Sequence, residues 1–205
     1  HAMFDDVMTA AEIGEESSKN RLMGDPHLKS MVAKDGVNQA SALVLTRWET
    51  AKSVGVADRA IFLHGHATGS EPQVLNRKSL GQSEAMTASY RNALAGAGIE
   101  AAQVGAADLY SCFPIAVWVA MDALDMSLDD PRPFTLTGGL PFFGGPGNNY
   151  STHGIAEMVH WLRGQPEPAY GVVGANGGYL SKHAVGVYAN MPAKFPEAIP
   201  EFKAA

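Results

Sequence analysis

Thr137 to Gly154 reads TGGLPFFGGPGNNYSTHG and then runs into an amphipathic segment. Six glycines and two prolines fall within these eighteen residues. Glycine reaches positive φ and lets backbone approach backbone, at a higher ordering entropy than any other residue. A chain that carries this cost needs an unusual backbone path. Asn148, Asn149 and Ser151 stand where a helix starts, offering side-chain caps and free N–H groups. Two readings stand side by side. The loop cradles an anion or a developing oxyanion at a helix N-terminus, or it is a tight packing corner.

The flanking sequence alternates strand and helix. Arg59–His64 predicts a strand, followed by a loop from Gly65 to Pro72. Ser83–Ala95 has helical spacing and stops at Gly96 and Gly98. Ala107–Ser111 predicts a strand, Phe113–Leu124 a largely buried helix, and Phe134–Thr137 a short strand feeding the glycine loop. Tyr150–Arg163 predicts an amphipathic helix with Ile155, Met158, Val159 and Leu162 on one stripe. Tyr170–Gly174 and Ala184–Tyr188 predict strands with no helix between them, which suits antiparallel pairing. Upstream, Ala40–Leu45 predicts a buried strand and Arg47–Val54 a helix ending at Gly55. Residues 4–36 predict loop and short helix, an arm packed on something outside the chain. His1-Ala2-Met3 reads as a remnant ahead of a start, and residues 191–205 as a tail. The class is α/β, with a central mixed sheet covered by helices.

With 205 residues, 46% hydrophobic, 18% charged and net charge −6, the chain fits one or two ordinary domains. Its acidity and the absence of a basic stripe argue against a nucleic-acid surface. Cys112 is the sole cysteine, so no intrachain disulfide forms, and a reducing, cytoplasmic setting is expected. No apolar run approaches the roughly 20 residues that span a bilayer. Phosphate-loop, dinucleotide and serine-elbow motifs are missing. His64-Gly65-His66 lacks the carboxylate or cysteine company of a metal site, so no metal or other cofactor is expected.

Three segments together are more specific: Asp108-Leu109-Tyr110-Ser111-Cys112-Phe113, the glycine loop, and Gly174-Ala175-Asn176-Gly177-Gly178. In this order and spacing the chain resembles the C-terminal half of the thiolase superfamily, over about residues 20–190. It is similar above all to actinobacterial acetyl-CoA acetyltransferases and sterol-carrier-type, lipid-transfer-like thiolases. Residues 175–188 and the LYSCFP run of 109–114 carry that closer likeness. The resemblance implies one half of a layered αβαβα fold. Residues 37–57 would close the N-terminal domain, and residues 58–190 would form the C-terminal domain. It implies acyl-CoA as substrate, C–C chemistry next to a thioester in lipid or sterol metabolism, pairing with an N-terminal thiolase-like half, and a homodimer.

The sequence departs from that family at three places. Gly145 stands where the family's loop histidine belongs, Ala175 where its second cysteine belongs, and Tyr110 where sterol-carrier types carry histidine. Ordinary thiolysis by these residues is therefore not expected. The expected catalytic groups are Tyr110, His183 and Asn176. Gly145, Asn148, Asn149, His153, Gly177 and Gly178 are the expected substrate or oxyanion contacts. For Tyr110 the alternative is a packed tyrosine, for His183 and His153 a structural histidine, and for Cys112 a small buried residue rather than a nucleophile. Three functions follow: an acetyl-CoA C-acyltransferase fragment lacking its nucleophile, a retro-aldol lyase on a β-hydroxyacyl-CoA, or a non-catalytic CoA- or lipid-binding subunit.

Overall fold

The computed structural model describes residues 2–4 and 7–193. Its elements are α1 (Ala10–Gly14), β1 (Leu22–Gly24), β2 (His27–Leu28), α2 (Trp48–Ser53), β3 (Phe62–Ser70), α3 (Glu84–Ala97), β4 (Val104–Asp108), α4 (Pro114–Ala123), α5 (Leu140–Phe143), α6 (Tyr150–Arg163), β5 (Tyr170–Gly177) and β6 (Lys182–Ala189). The central sheet has the order β3-β6-β5-β4. β6 is antiparallel to both β3 and β5, and β5 is parallel to β4. The last two strands thus pair antiparallel, as their missing crossover predicts.

Although parts of β3 and β6 stay exposed, helices pack on both faces of the sheet. α3 and α4 cover one, where Met86, Tyr90, Val119 and Met121 pack on Val172, Val185 and Val187. α6 covers the other, through Met158 and Leu162 against Ala106 and Val173. Local signals explain the helix ends. Ser83 caps α3 by accepting the Met86 amide, and Gly98 ends it at φ +68°. Pro114 sits in the first turn of α4, where its fixed φ and missing N–H cost nothing. Among the described residues, no helix is long and apolar enough to cross a membrane.

Several boundaries differ from expectation. β3 runs through Gly65–Ser70, where a loop is expected. Gly65 and Gly69 are not turn residues there. A Cβ at Gly65 would overlap the Ala93 carbonyl, and one at Gly69 would lie 2.6 Å from Ser89 Oγ. These glycines let α3 lie directly on the strand backbone. β4 begins three residues earlier than Ala107 and ends at Asp108. Phe134–Thr137 makes only an isolated bridge, Thr135 to Asp108, rather than a strand. Ala40–Leu45 forms no strand, and Val44 and Leu45 are 96% and 85% exposed, because no described strand pairs with the segment. Trp118 is half exposed rather than core, unlike Met121 and Leu124 behind it. Of the tail, residues 194–205 lie outside the described residues.

Candidate functional site

Parts of the N-terminal arm, Met3, Phe4 and residues 33–39, pack on the glycine loop of the same chain. The Met3 and Phe4 amides donate to the Phe143 and Phe142 carbonyls, and the Lys34 amide donates to Leu140. The Lys34 ammonium lies 4.3 Å from the Phe4 ring centroid, and Gln39 Nε2 donates to the Phe143 carbonyl at 2.9 Å. The loop therefore has a cover over its outer side.

Within the loop, Gly138, Gly139, Gly144 and Gly147 all take positive φ, from +59° to +111°. The unusual path is real, and its polar groups are spent on the chain. The Gly145 amide donates to the Lys34 carbonyl at 2.8 Å, so it is not aimed at a ligand. Gly139 donates to Thr137 Oγ1, Leu140 to Ser111 Oγ, and Gly147 to the Gly145 carbonyl. A 3-10 turn at Gly147–Asn149 leads straight into α6 and uses the Asn149 and Tyr150 amides. No side chain caps α6, so the expected cap by Asn148, Asn149 or Ser151 is replaced by that turn. Asn148 is exposed, and Asn149 Nδ2 sits 3.2 Å from His153 Nε2. His153 is buried edge-on against Phe143, and burial lowers its pKa. Its contacts, the Phe143 ring and the Asn149 side chain, all lie within the loop and the start of α6.

A second region lies where β4 and β5 end beneath the start of α4. Met86, Tyr90, Tyr110, Ala116, Ala120, Ala175 and Asn176 line a narrow crevice there, which as folded has no room for a water molecule. Two expected site residues, Tyr110 and Asn176, come together in it, and Ala175 keeps its wall small. The Tyr110 ring stacks edge-to-face on Tyr150 at 5.3 Å. Burial, with Cys112 nearby, pushes its phenol up. The phenol thus stays protonated and can donate a hydrogen bond, but it is not tuned as an acid near neutral pH. Asn176 Oδ1 faces the Cys112 thiol at 4.0 Å, while Asn176 Nδ2 is buried with no hydrogen-bond partner. A buried donor without a partner carries a desolvation cost that an acceptor brought by a ligand would remove. Burial raises the Cys112 pKa, which opposes a nucleophilic role despite the neighbouring helix start.

His183 stands directly across from Asn176 in the β5–β6 register and shares its face of the sheet. It does not line the crevice. Its Nε2 lies 3.2 Å from both Ser83 Oγ and the Leu180 carbonyl, and Ser83 Oγ donates to Glu71. Its buried Nδ1 has no partner. Burial lowers its pKa and keeps the ring neutral. Gly177 closes the hairpin loop by accepting the Ser181 amide, and Gly178 supplies φ +64°. Both are turn residues at the hairpin tip. His64 Nε2 is engaged by the Met191 carbonyl at 2.7 Å, and His66 is exposed. Among the described residues no three histidine, cysteine or carboxylate groups gather as a metal site.

One polar residue not expected at the site is Asp108. It is 0% exposed, and Oδ2 accepts the Thr137 amide at 2.7 Å. Burial pushes its carboxyl up to about 6. Its place at the head of the Asp-Leu-Tyr-Ser-Cys-Phe run was the available signal, two residues before Tyr110.

No protein-family model matches the chain, and none of the curated proteins does. Among solved structures, the chain is similar to a monomeric SCP2-thiolase-like protein, type 1, from Mycobacterium smegmatis. The two share 40% sequence identity with a TM-score of 0.78, over 91% of this chain. The chain spans 41% of that protein's length. Because the neighbour is described as monomeric, it lends the expected homodimer no support. The mixed sheet between α3/α4 and α6 is accordingly an SCP2-thiolase-like fold, and the chain is thiolase-like of the sterol-carrier type.

Proposed function

We propose that this chain is the C-terminal half of a thiolase-like acyl-CoA protein, and that its crevice receives the thioester oxygen of an acyl-CoA. The observation that carries the reading is the buried, unpartnered Nδ2 of Asn176 in a crevice that Tyr110, its phenol held protonated, also lines. Two neutral donors in a dry crevice suit an oxygen that gains negative charge when an enolate forms next to the thioester. They serve making or breaking the C–C bond at that carbon, in lipid or sterol metabolism.

For C-acyl transfer of the acetyl-CoA acetyltransferase type, a thiolate must take the acyl group. Cys112 is poorly suited, since burial raises its pKa. That chemistry therefore requires a nucleophile from a thiolase-like N-terminal half, and this chain by itself would bind without transferring. The same two donors favour a second reading, retro-aldol cleavage of a β-hydroxyacyl-CoA. There a base takes the β-hydroxyl proton, the Cα–Cβ bond breaks, and the enolate of the shorter acyl-CoA is held and then protonated. No covalent cysteine takes part.

Mass spectrometry of the full-length protein with excess acyl-CoA, together with chromatography of the products, separates these readings. An acyl-cysteine adduct supports transfer. Release of an aldehyde or ketone with a shorter acyl-CoA, lost in Tyr110→Phe, supports the lyase. Binding of acetyl-CoA with neither outcome leaves a non-catalytic CoA subunit. Absence of binding overturns the proposal.

A further inference from the structure

We infer that Asp108 is a positioning residue: its buried carboxylate fixes the glycine loop and, through Tyr150, seats the Tyr110 ring at the crevice. The inference deepens the thioester reading above and rests on it.

The connections are short and continuous. Asp108 ends β4, and its Oδ2 accepts the amide of Thr137, the first residue of the glycine loop, at 2.7 Å. The Thr137 hydroxyl pairs with the Tyr150 hydroxyl at 2.6 Å and also receives the Gly139 amide at 3.2 Å. Tyr150 is fully buried, and its ring meets Tyr110 edge-on at 5.3 Å and Phe143 at 6.0 Å. One carboxylate thus joins β4, the loop, the start of α6 and the crevice tyrosine. Its other oxygen, Oδ1, is buried with no partner. Gly154 makes room for it, because a Cβ there would stand 3.1 Å from Oδ1.

An asparagine would accept the Thr137 amide just as well without a charge to bury. What sets the carboxylate apart from that asparagine is its charge. The groups facing it are the Thr137 amide and hydroxyl from the loop, the Tyr150 hydroxyl and the Glu157 carboxylate from α6, and Tyr90 from α3. None of these is a cation. Ionised, Asp108 offers acceptors to the loop and to Tyr150. Protonated at Oδ1, the oxygen without a partner, it keeps the Thr137 amide on Oδ2 but loses the charge that aligns the Thr137 and Tyr150 hydroxyls, and the chain through Tyr150 to Tyr110 loosens. Burial places that change near pH 6.

The test uses this chain with ring-13C-labelled tyrosine and 15N-labelled amides, titrated from about pH 4.5 to 8 without ligand. The Tyr110 and Tyr150 rings and the Thr137 and Gly139 amides should move together with a midpoint near pH 6. Asp108→Asn should remove that step from all four. Burial lowers the pKa of His153, which packs on Phe143, and any step of its own should survive the substitution. In Tyr150→Phe, Thr137 should still titrate while Tyr110 falls silent; this variant decides the matter if Asp108→Asn does not fold. A Tyr110 step that persists in Asp108→Asn, or no Tyr110 step in the wild type, overturns the inference. Acetyl-CoA added afterwards tests the crevice separately. An unmoved Asn176 side-chain amide would sink the thioester reading while leaving the ligand-free titration standing.

Discussion

The glycine loop and the strand-end crevice lie side by side and use their polar groups in opposite ways. The loop closes its amides on Lys34, Thr137, Ser111 and itself, and its histidine packs on Phe143. The crevice, made by Tyr110 and Asn176 between small alanine walls, keeps a buried donor unspent. Conspicuous backbone geometry and available chemistry are thus separate properties. At Gly145 the backbone path serves packing. What remains for a ligand sits at the end of β5.

That contrast can be broken by substitution, and the largest effect is expected in the loop. Gly144 has φ +111°, and a Cβ there would lie 2.5 Å from Gln39 Oε1 and 3.0 Å from Val37. Gly144→Ala should cost about 2–4 kcal/mol in urea unfolding, from backbone strain and overpacking together. Unchanged stability would mean that the loop is not a locked corner.

Asp108 gives the next effect, and its sign follows from its raised pKa. A carboxyl that titrates near 6 when folded, against about 3.8 when unfolded, penalises the folded state as pH rises through that window. Wild type should therefore lose stability between about pH 4 and 7 relative to Asp108→Asn. The gap should approach about 2 kcal/mol at pH 8, after allowing for the lost charge-assisted hydrogen bond. Parallel pH–stability curves for the two proteins would show that the carboxyl is not held neutral by burial.

Asn176→Ala should act on the crevice alone. Acetyl-CoA affinity should fall about tenfold, the worth of one hydrogen bond of roughly 1.4 kcal/mol, while the melting temperature stays level or rises with removal of the unpartnered donor. Stability loss without an affinity change would make Asn176 a structural residue. The smallest effect is expected at Gly145, where a Cβ would meet Ala33, Leu140 and the Lys34 carbonyl at 3.4 Å. Gly145→Ala should cost under about 1 kcal/mol and leave thioester affinity unchanged. A marked affinity loss there would return the loop to the site.

The helices were the most legible part of the sequence. α6 matches its apolar stripe from Tyr150 to Arg163, and α3 differs from expectation by one residue at its start and two at its end. Glycine was the main source of error, because its two uses look alike in a sequence. Gly138 and Gly144 serve positive φ, whereas Gly65, Gly69 and Gly174 serve close approach, the last beneath the Tyr90 hydroxyl. Ala40–Leu45 reads as a strand from its apolar run, but a strand exists only when another pairs with it. At the site, Tyr110, Asn176 and His183 were visible as residue types. Register sets Asn176 and His183 side by side on one face of the sheet, and their neighbours separate them: Asn176 lines the crevice with Tyr110, while His183 is committed to Ser83 and Leu180. The role of Asp108 was hidden because burial of a carboxylate depends on the loop and on α6, 29 and more residues away.

The most direct test of the central claim is a 15N–1H spectrum of the Asn176 side-chain amide, recorded with acetyl-CoA and then with CoA alone. Such spectra detect weak binding, which suits a chain spanning 41% of its neighbour's length. The account predicts a shift with acetyl-CoA that CoA, lacking the thioester oxygen, does not produce, and predicts no shift of His153. Equal shifts with both ligands, or none with acetyl-CoA at saturation, would contradict it.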